Sequence, residues 1–87
     1  MTIHDIITEI QNLNNEPSRK SVFEINRLLS NNKELIIKHI DADTINPLFK
    51  NFDSLSQASH KEYISDNFTN EYQKQYNLLM YYFNKIS

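Results

Sequence analysis

From residue 64 to residue 86, apolar side chains recur at steps of four and three: Ile64, Phe68, Tyr72, Tyr76, Leu79, Phe83 and Ile86. That spacing keeps one face of an α-helix. Just ahead, Ser59-His60-Lys61-Glu62 has the form of a capping box, in which the serine hydroxyl and the glutamate carboxylate satisfy each other's backbone amides. The pattern predicts a helix, or a helix pair, from Ser59 to Ile86, about which the rest of the chain is organised. Leu78 and Tyr82 widen the apolar arc on one side and Met80 on the other. A helix apolar over more than half its circumference is usually packed on two sides, so a central position is expected for it. Unbroken from His60 to Ile86 it would be about 40 Å long, against a radius of gyration of about 12 Å for a domain of this length. A bend or break is therefore expected within Asp66-Asn67-Phe68-Thr69-Asn70, where Asp, Asn and Thr compete for backbone hydrogen bonds. Tyr63 and Tyr81 fall off the stripe, on the far face.

Upstream, the same periodicity predicts three or four shorter helices. Thr2 caps the first, with Asp5 in its first turn, and Ile3, Ile6, Ile7, Ile10 and Leu13 make its stripe. His4 lies beside that stripe as a surface residue. Asn14-Asn15-Glu16-Pro17 reads as a turn. A second helix starts near Ser18 or at the capping box Ser21-Val22-Phe23-Glu24 and buries Val22, Ile25, Leu28 and Leu29. Asn31-Asn32 ends it, and Asn32 is placed to cap a third helix over 33–40. Leu35, Ile36, Ile37 and Ile40 are too many for one narrow stripe, so that helix is expected to be well buried. His39 to Pro47 is the most polar connection. Pro47 suits the first position of a fourth helix carrying Leu48, Phe49, Phe52 and Leu55. The fold class expected is all-α: a compact irregular bundle of four to five short helices around a C-terminal helix, one domain over residues 1–87.

Composition narrows the chemistry. With 87 residues there is room for one small core, and 39% hydrophobic content with ten aromatic side chains is enough to build it. Cysteine is absent, which removes disulfides and thiolate chemistry. Glycine is absent too, which removes Gly-rich phosphate loops and nucleophile elbows. Helix ends that would use glycine in the left-handed conformation are expected to use Asn14-Asn15 and Asn31-Asn32 instead. No apolar run approaches the length of a membrane span, and no basic-then-apolar leader opens the chain, so a cytoplasmic address is expected. The richness in Asn, Ile and Lys points to AT-rich coding sequence, as in many phage, plasmid and mobile-island genes.

Candidate sites for catalysis or metal are weak. Asp41 and Asp43 have the spacing of the start of a calcium loop, but Asn46 and Phe52 stand where an EF-hand needs Gly and Glu. His39 near those acids lacks a nucleophile or oxyanion donor in any interpretable motif. Asp53-Ser54-Leu55 resembles the phosphopantetheine attachment triplet of acyl carrier proteins, also small four-helix domains. The glycine usual before the triplet is missing, Lys61 falls where that family's next helix is apolar, and the flanking lengths do not match. No cofactor, metal or catalytic residue is expected, and the chain is not read as an enzyme. The pair of helices from Ser21 to Ile40 could form a helix-turn-helix, but the second is apolar where a recognition helix exposes polar and basic residues.

Charge gives the remaining lead. The net charge is −2, and residues 1–40 are balanced. Residues 41–71 carry Asp41, Asp43, Asp53, Glu62, Asp66 and Glu71 against only Lys50 and Lys61, while Lys74 and Lys85 follow. An acidic surface can steer and dock a basic partner. The function expected is a non-catalytic protein-binding module, in its most specific form an immunity- or antitoxin-type inhibitor that neutralises a basic toxin, a nuclease being the favoured target. Its docking residues are expected to be Asp41, Asp43, Asp53, Glu62 and Asp66, with Tyr63 and Tyr81 as aromatic anchors. The alternatives are a phage-encoded inhibitor of a host defence complex, a small DNA-binding regulator using Arg19, Lys20 and Arg27, and a homo-oligomeric structural subunit. A protein partner is expected; nucleic acid and membrane are not.

Overall fold

The computed structural model of the chain describes residues 2–13, 19–58, 61 and 64–86. Among them are five helices: α1 Ile3–Leu13, α2 Arg19–Asn31, α3 Lys33–Ile37, α4 Ala42–Ser56 and α5 Asp66–Phe83. The fold is an all-α bundle with one hydrophobic core. The anticipated turn at Asn14-Asn15-Glu16-Pro17 and the capping box at Ser59 and Glu62 lie outside the described residues.

α1 begins as its sequence predicts. The Thr2 amide donates to Asp5 Oδ2 at 3.0 Å and the Asp5 amide donates to Thr2 Oγ1 at 3.2 Å, a reciprocal cap. Hydrogen bonding from Thr2, its backbone amide first and its side chain second, holds the Asp5 carboxyl below the usual carboxylate range. Ile3, Ile6 and Ile10 are buried. On α2 the anticipated face of Val22, Ile25, Leu28 and Leu29 is buried throughout. α2 and α4 make the most extensive helix pair. They run antiparallel, since Asn26 reaches Asp53 and Ser56 near the end of α4 while Lys33, just after α2, lies over the Phe49 ring.

α4 departs from expectation. The segment anticipated as a polar connection up to Asn46 is helical from Ala42, with Asp41 at the cap position and Pro47 inside the helix. Burial explains it. Ile45, Leu48 and Phe52 stay in phase on one face and are all buried, while Pro47 points outward. A proline here forfeits one backbone bond and crowds the carbonyl four residues back, that of Asp43. Replacing Pro47 by alanine is therefore expected to raise stability by about 1–2 kcal/mol, the helix gain being partly offset by a freer unfolded chain. Urea unfolding of the variant checks this, and a loss of stability would mean that α4 starts after Pro47.

The C-terminal stretch also differs. α5 starts at Asp66, and Ser65 is its cap, extended at φ −81°, ψ 153°, with its hydroxyl accepting from the Phe68 amide at 3.2 Å. The break thus falls at Ile64-Ser65, and Asp66 to Asn70 form the first turns of the helix. Ile64, anticipated on the buried stripe, is 67% exposed because the break takes it out of phase. The buried face is Phe68, Tyr72, Gln75, Leu79 and Phe83, with Gln75 where Tyr76 was anticipated. Of the residues expected to widen the apolar arc, Met80 and Tyr82 are partly buried against the core, while Leu78 is 39% exposed. With the break, the longest dimension is 37 Å.

No left-handed residue closes a helix among the described residues, so the anticipated Asn31-Asn32 cap of that kind is absent. Asn32 occupies the cap position of α3, as anticipated, but its side chain makes no capping bond; its amide donates back to the Leu28 carbonyl at 2.8 Å. The ends of α3, α4 and α5 carry bonds spanning three residues, as in His39 to Ile36, Gln57 to Ser54 and Lys85 to Tyr82. α3 itself stops at Ile37, which is 38% exposed; Ile36 and Ile40 are the buried members of the anticipated set.

Candidate interaction surfaces

α4 and α5 run antiparallel and leave a polar seam between them. At its middle the Asn51 side-chain amide donates to Gln75 Oε1 at 3.1 Å, and the Gln75 amide donates to Glu71 Oε1 at 2.9 Å. Gln75 is only 4% exposed, and both ends of its side chain are used. A buried amide left unpaired would be strongly destabilising, so these bonds tie one helix to the other in a single register. They also orient the Glu71 carboxylate.

Between the end of α4 and the start of α5 lies a groove of volume ≈ 480 Å³. Leu55, Ala58 and Phe68 supply its apolar lining; Ser54, Asn67 and Glu71 are among its polar rim. Glu71 is the one charged residue in that lining among the described residues. Asp66 is exposed and stands between Ser65 and Asn67, which both line the groove; exposed Ile64 comes immediately before. An apolar floor with one oriented carboxylate suits an inserted lysine or arginine side chain, whose stem prefers apolar contact and whose head prefers the anion.

The anticipated acids do not gather on one surface. Asp41 and Asp43 are exposed at the start of α4. Asp41 shares a cleft of volume ≈ 350 Å³ with His39, Thr44, Tyr82 and Lys85. Asp66 is at the opposite end of α5, about 24 Å away along the helix at 1.5 Å per residue. Asp53 lies on the α2 side of α4, where Oδ1 accepts from Asn26 at 3.4 Å and Oδ2 accepts from Gln57 at 2.9 Å. Glu62 and Tyr63 lie outside the described residues. Tyr81 is exposed, as its place off the stripe implied, but its neighbour is a cation: Lys85 Nζ sits 4.4 Å from the ring centroid. Its ring also meets Tyr82 edge-on, with centroids 5.5 Å apart.

Two elements of these surfaces were passed over in the sequence. Gln75 and Glu71 are polar, and a search for apolar periodicity does not register a buried glutamine or the carboxylate it holds. Phe23 is 57% exposed on the outer face of α2. Its position roughly 150° around the helix from the buried set was legible at 100° per residue. Of the basic residues Arg19, Lys20 and Arg27 considered for a DNA-binding regulator, Arg27 is engaged with Glu24 at 2.8 Å and Lys20 is exposed.

Among the described residues no group of three or more His, Asp or Glu is arranged to hold a metal ion, and no helix is long and apolar enough to cross a membrane. No protein-family model, curated protein or solved structure matches the chain.

Proposed function

We propose that this chain is a non-catalytic protein-binding module and, in its most specific form, an immunity- or antitoxin-type inhibitor that docks on a basic toxin in the cytoplasm, a nuclease being the favoured target. The groove between α4 and α5 carries this reading: its apolar floor ends at a carboxylate, Glu71, that buried Gln75 holds in place. A basic side chain of the partner enters there. Ile64 packs beside it as an apolar anchor, and Asp66 adds attraction at the mouth. Asp41 and Asp43, at the far end of the helix pair, contribute long-range steering more than contact, because exposed charges beyond about 10 Å are largely screened at 0.1 M salt. A phage-encoded inhibitor of a host defence complex would use the same groove, and the identity of the captured protein separates the two.

The test is a pull-down from the native host at low and high salt, repeated with Glu71→Lys, Asp66→Lys and the pair Asp41→Lys with Asp43→Lys. All four positions are exposed, and circular dichroism checks that each variant folds. One stoichiometric basic protein is expected with the unaltered chain. Glu71→Lys should weaken its retention at least tenfold, since it replaces a charge-assisted hydrogen bond worth roughly 1.5–3 kcal/mol by a repulsion. The double change at Asp41 and Asp43 should mainly slow association. Recovery of the bait alone, recovery of nucleic acid, or retention indifferent to Glu71→Lys overturns the proposal.

A further inference from the structure

We infer that the outward face of α5 is a second docking surface, built for an acidic amphipathic helix of a partner protein. Lys74, Leu78, Tyr81 and Lys85 follow one another at steps of four, three and four, the spacing of one helix face. All four are exposed, and they lie well round the helix from the buried Phe68, Tyr72, Gln75, Leu79 and Phe83. The stripe is apolar in the middle and cationic at both ends. Lys85 Nζ at 4.4 Å from the Tyr81 centroid shows that this cation and this ring occupy the same face. The four positions span about 16 Å at 1.5 Å per residue, three turns of helix. Asn70, Asn77 and Asn84, spaced by sevens and all exposed, run alongside as an uncharged hydrogen-bonding rim.

Charge decides the occupant. A second copy of this chain is disfavoured in either direction. Parallel pairing sets Lys74 against Lys74 and Lys85 against Lys85. Antiparallel pairing that places Leu78 against Tyr81 brings Lys74 of one copy against Lys85 of the other. Like charges juxtaposed in an interface cost enough to exclude a pairing. A helix with two apolar residues flanked by Glu or Asp one turn beyond each satisfies both the apolar centre and the two cations. The helix-in-groove mode of recognition uses anchors at this spacing. This surface uses residues other than those lining the groove at Glu71 and takes the opposite charge, so it does not rest on the proposed function.

The probe is a synthetic 14-residue helical peptide carrying Glu, Leu, Leu and Glu at the first, fifth, eighth and twelfth positions of its register, with a matched peptide carrying Lys in place of both Glu. Binding to the full chain is followed by fluorescence anisotropy at two salt concentrations, with Glu71→Gln as a groove control. The acidic peptide should bind at least tenfold tighter than the basic one and weaken with salt. Tyr81→Ala should reduce its affinity about tenfold. The double variant Lys74→Glu with Lys85→Glu should reverse the preference, whereas Glu71→Gln, which keeps an acceptor for Gln75, should leave the acidic peptide's binding no weaker. Equal binding of both peptides, or no reversal in the double variant, overturns the inference. So does a doubled mass in sedimentation that Tyr81→Ala abolishes, which would assign the face to a second copy. Binding to anionic phosphatidylserine vesicles without binding to the acidic peptide likewise overturns it in favour of a lipid surface.

Discussion

Replacing Phe52 by alanine is expected to remove about 3–5 kcal/mol of stability. Phe52 is fully buried on α4, with Ile45 and Leu48 on the same face. α4 packs against α2 on one side and α5 on the other, so the cavity left by the ring cannot close by sliding one helix inward without opening the opposite seam. A chain of this length has a total stability of only about 4–13 kcal/mol at 0.05–0.15 kcal/mol per residue. The single change therefore removes a large part of it, and at the bottom of that range it leaves little or no net stability. Phe23→Ala is the internal control. It deletes the same side chain from the exposed face of α2 and should shift stability by less than about 0.5–1 kcal/mol. Urea titrations of the two variants decide the point. Comparable losses would show that the outer face of α2 is packed, contrary to the fold described.

Stability should also fall between pH 10 and pH 12 in a way that Tyr72→Phe removes. Tyr72 is fully buried, and burial, aided by neighbouring Tyr76, pushes its hydroxyl from an ordinary value of 10.0 up to about 12. In that window the unfolded chain gives up the Tyr72 proton while the folded chain keeps it. Fewer protons bound when unfolded means that stability declines as pH rises. The contribution is fully present below pH 10 and is lost as the pH approaches 12, for a total of about 2–3 kcal/mol at 1.36 kcal/mol per pH unit. The measured quantity is the difference between the unaltered chain and Tyr72→Phe. Denaturant midpoints at pH 8, 10, 11 and 12 should converge or cross as the unaltered chain alone loses this contribution. Parallel curves would place the Tyr72 hydroxyl in contact with water.

Much of the secondary structure was legible because it depends on local order. The periodicity of Ile3, Ile6 and Ile10, and of Val22, Ile25, Leu28 and Leu29, requires only that neighbours three and four apart share a face. The Thr2–Asp5 cap needs only adjacent residues. So the all-α class, the faces of α1 and α2 and the exposure of Tyr81 followed from the chain alone. Where local preference and burial disagreed, burial decided. Pro47 reads locally as a helix start, yet Ile45 gains more from the core than the proline costs the helix. Ile64 keeps the apolar phase in the sequence, yet the cap at Ser65 turns it out to solvent. The missing left-handed cap at Asn31-Asn32 has the same origin, because the Asn32 side chain closes that end of α2 without a positive φ.

The functional surfaces divide along the same line. The amino-acid order by itself determined how much acid the chain holds between residues 41 and 71, and that glycine and cysteine chemistry is absent. It could not say which acids share a surface, because that depends on the antiparallel docking of α4 on α5. The docking sets Asp41 and Asp66 at opposite ends, occupies Asp53 with Asn26 and Gln57, and leaves Glu71, held by Gln75, in the groove. Sequence order determines which residues share a helix face, since 100° per residue is a property of the backbone. Only packing determines which face meets another helix and which is left for a partner.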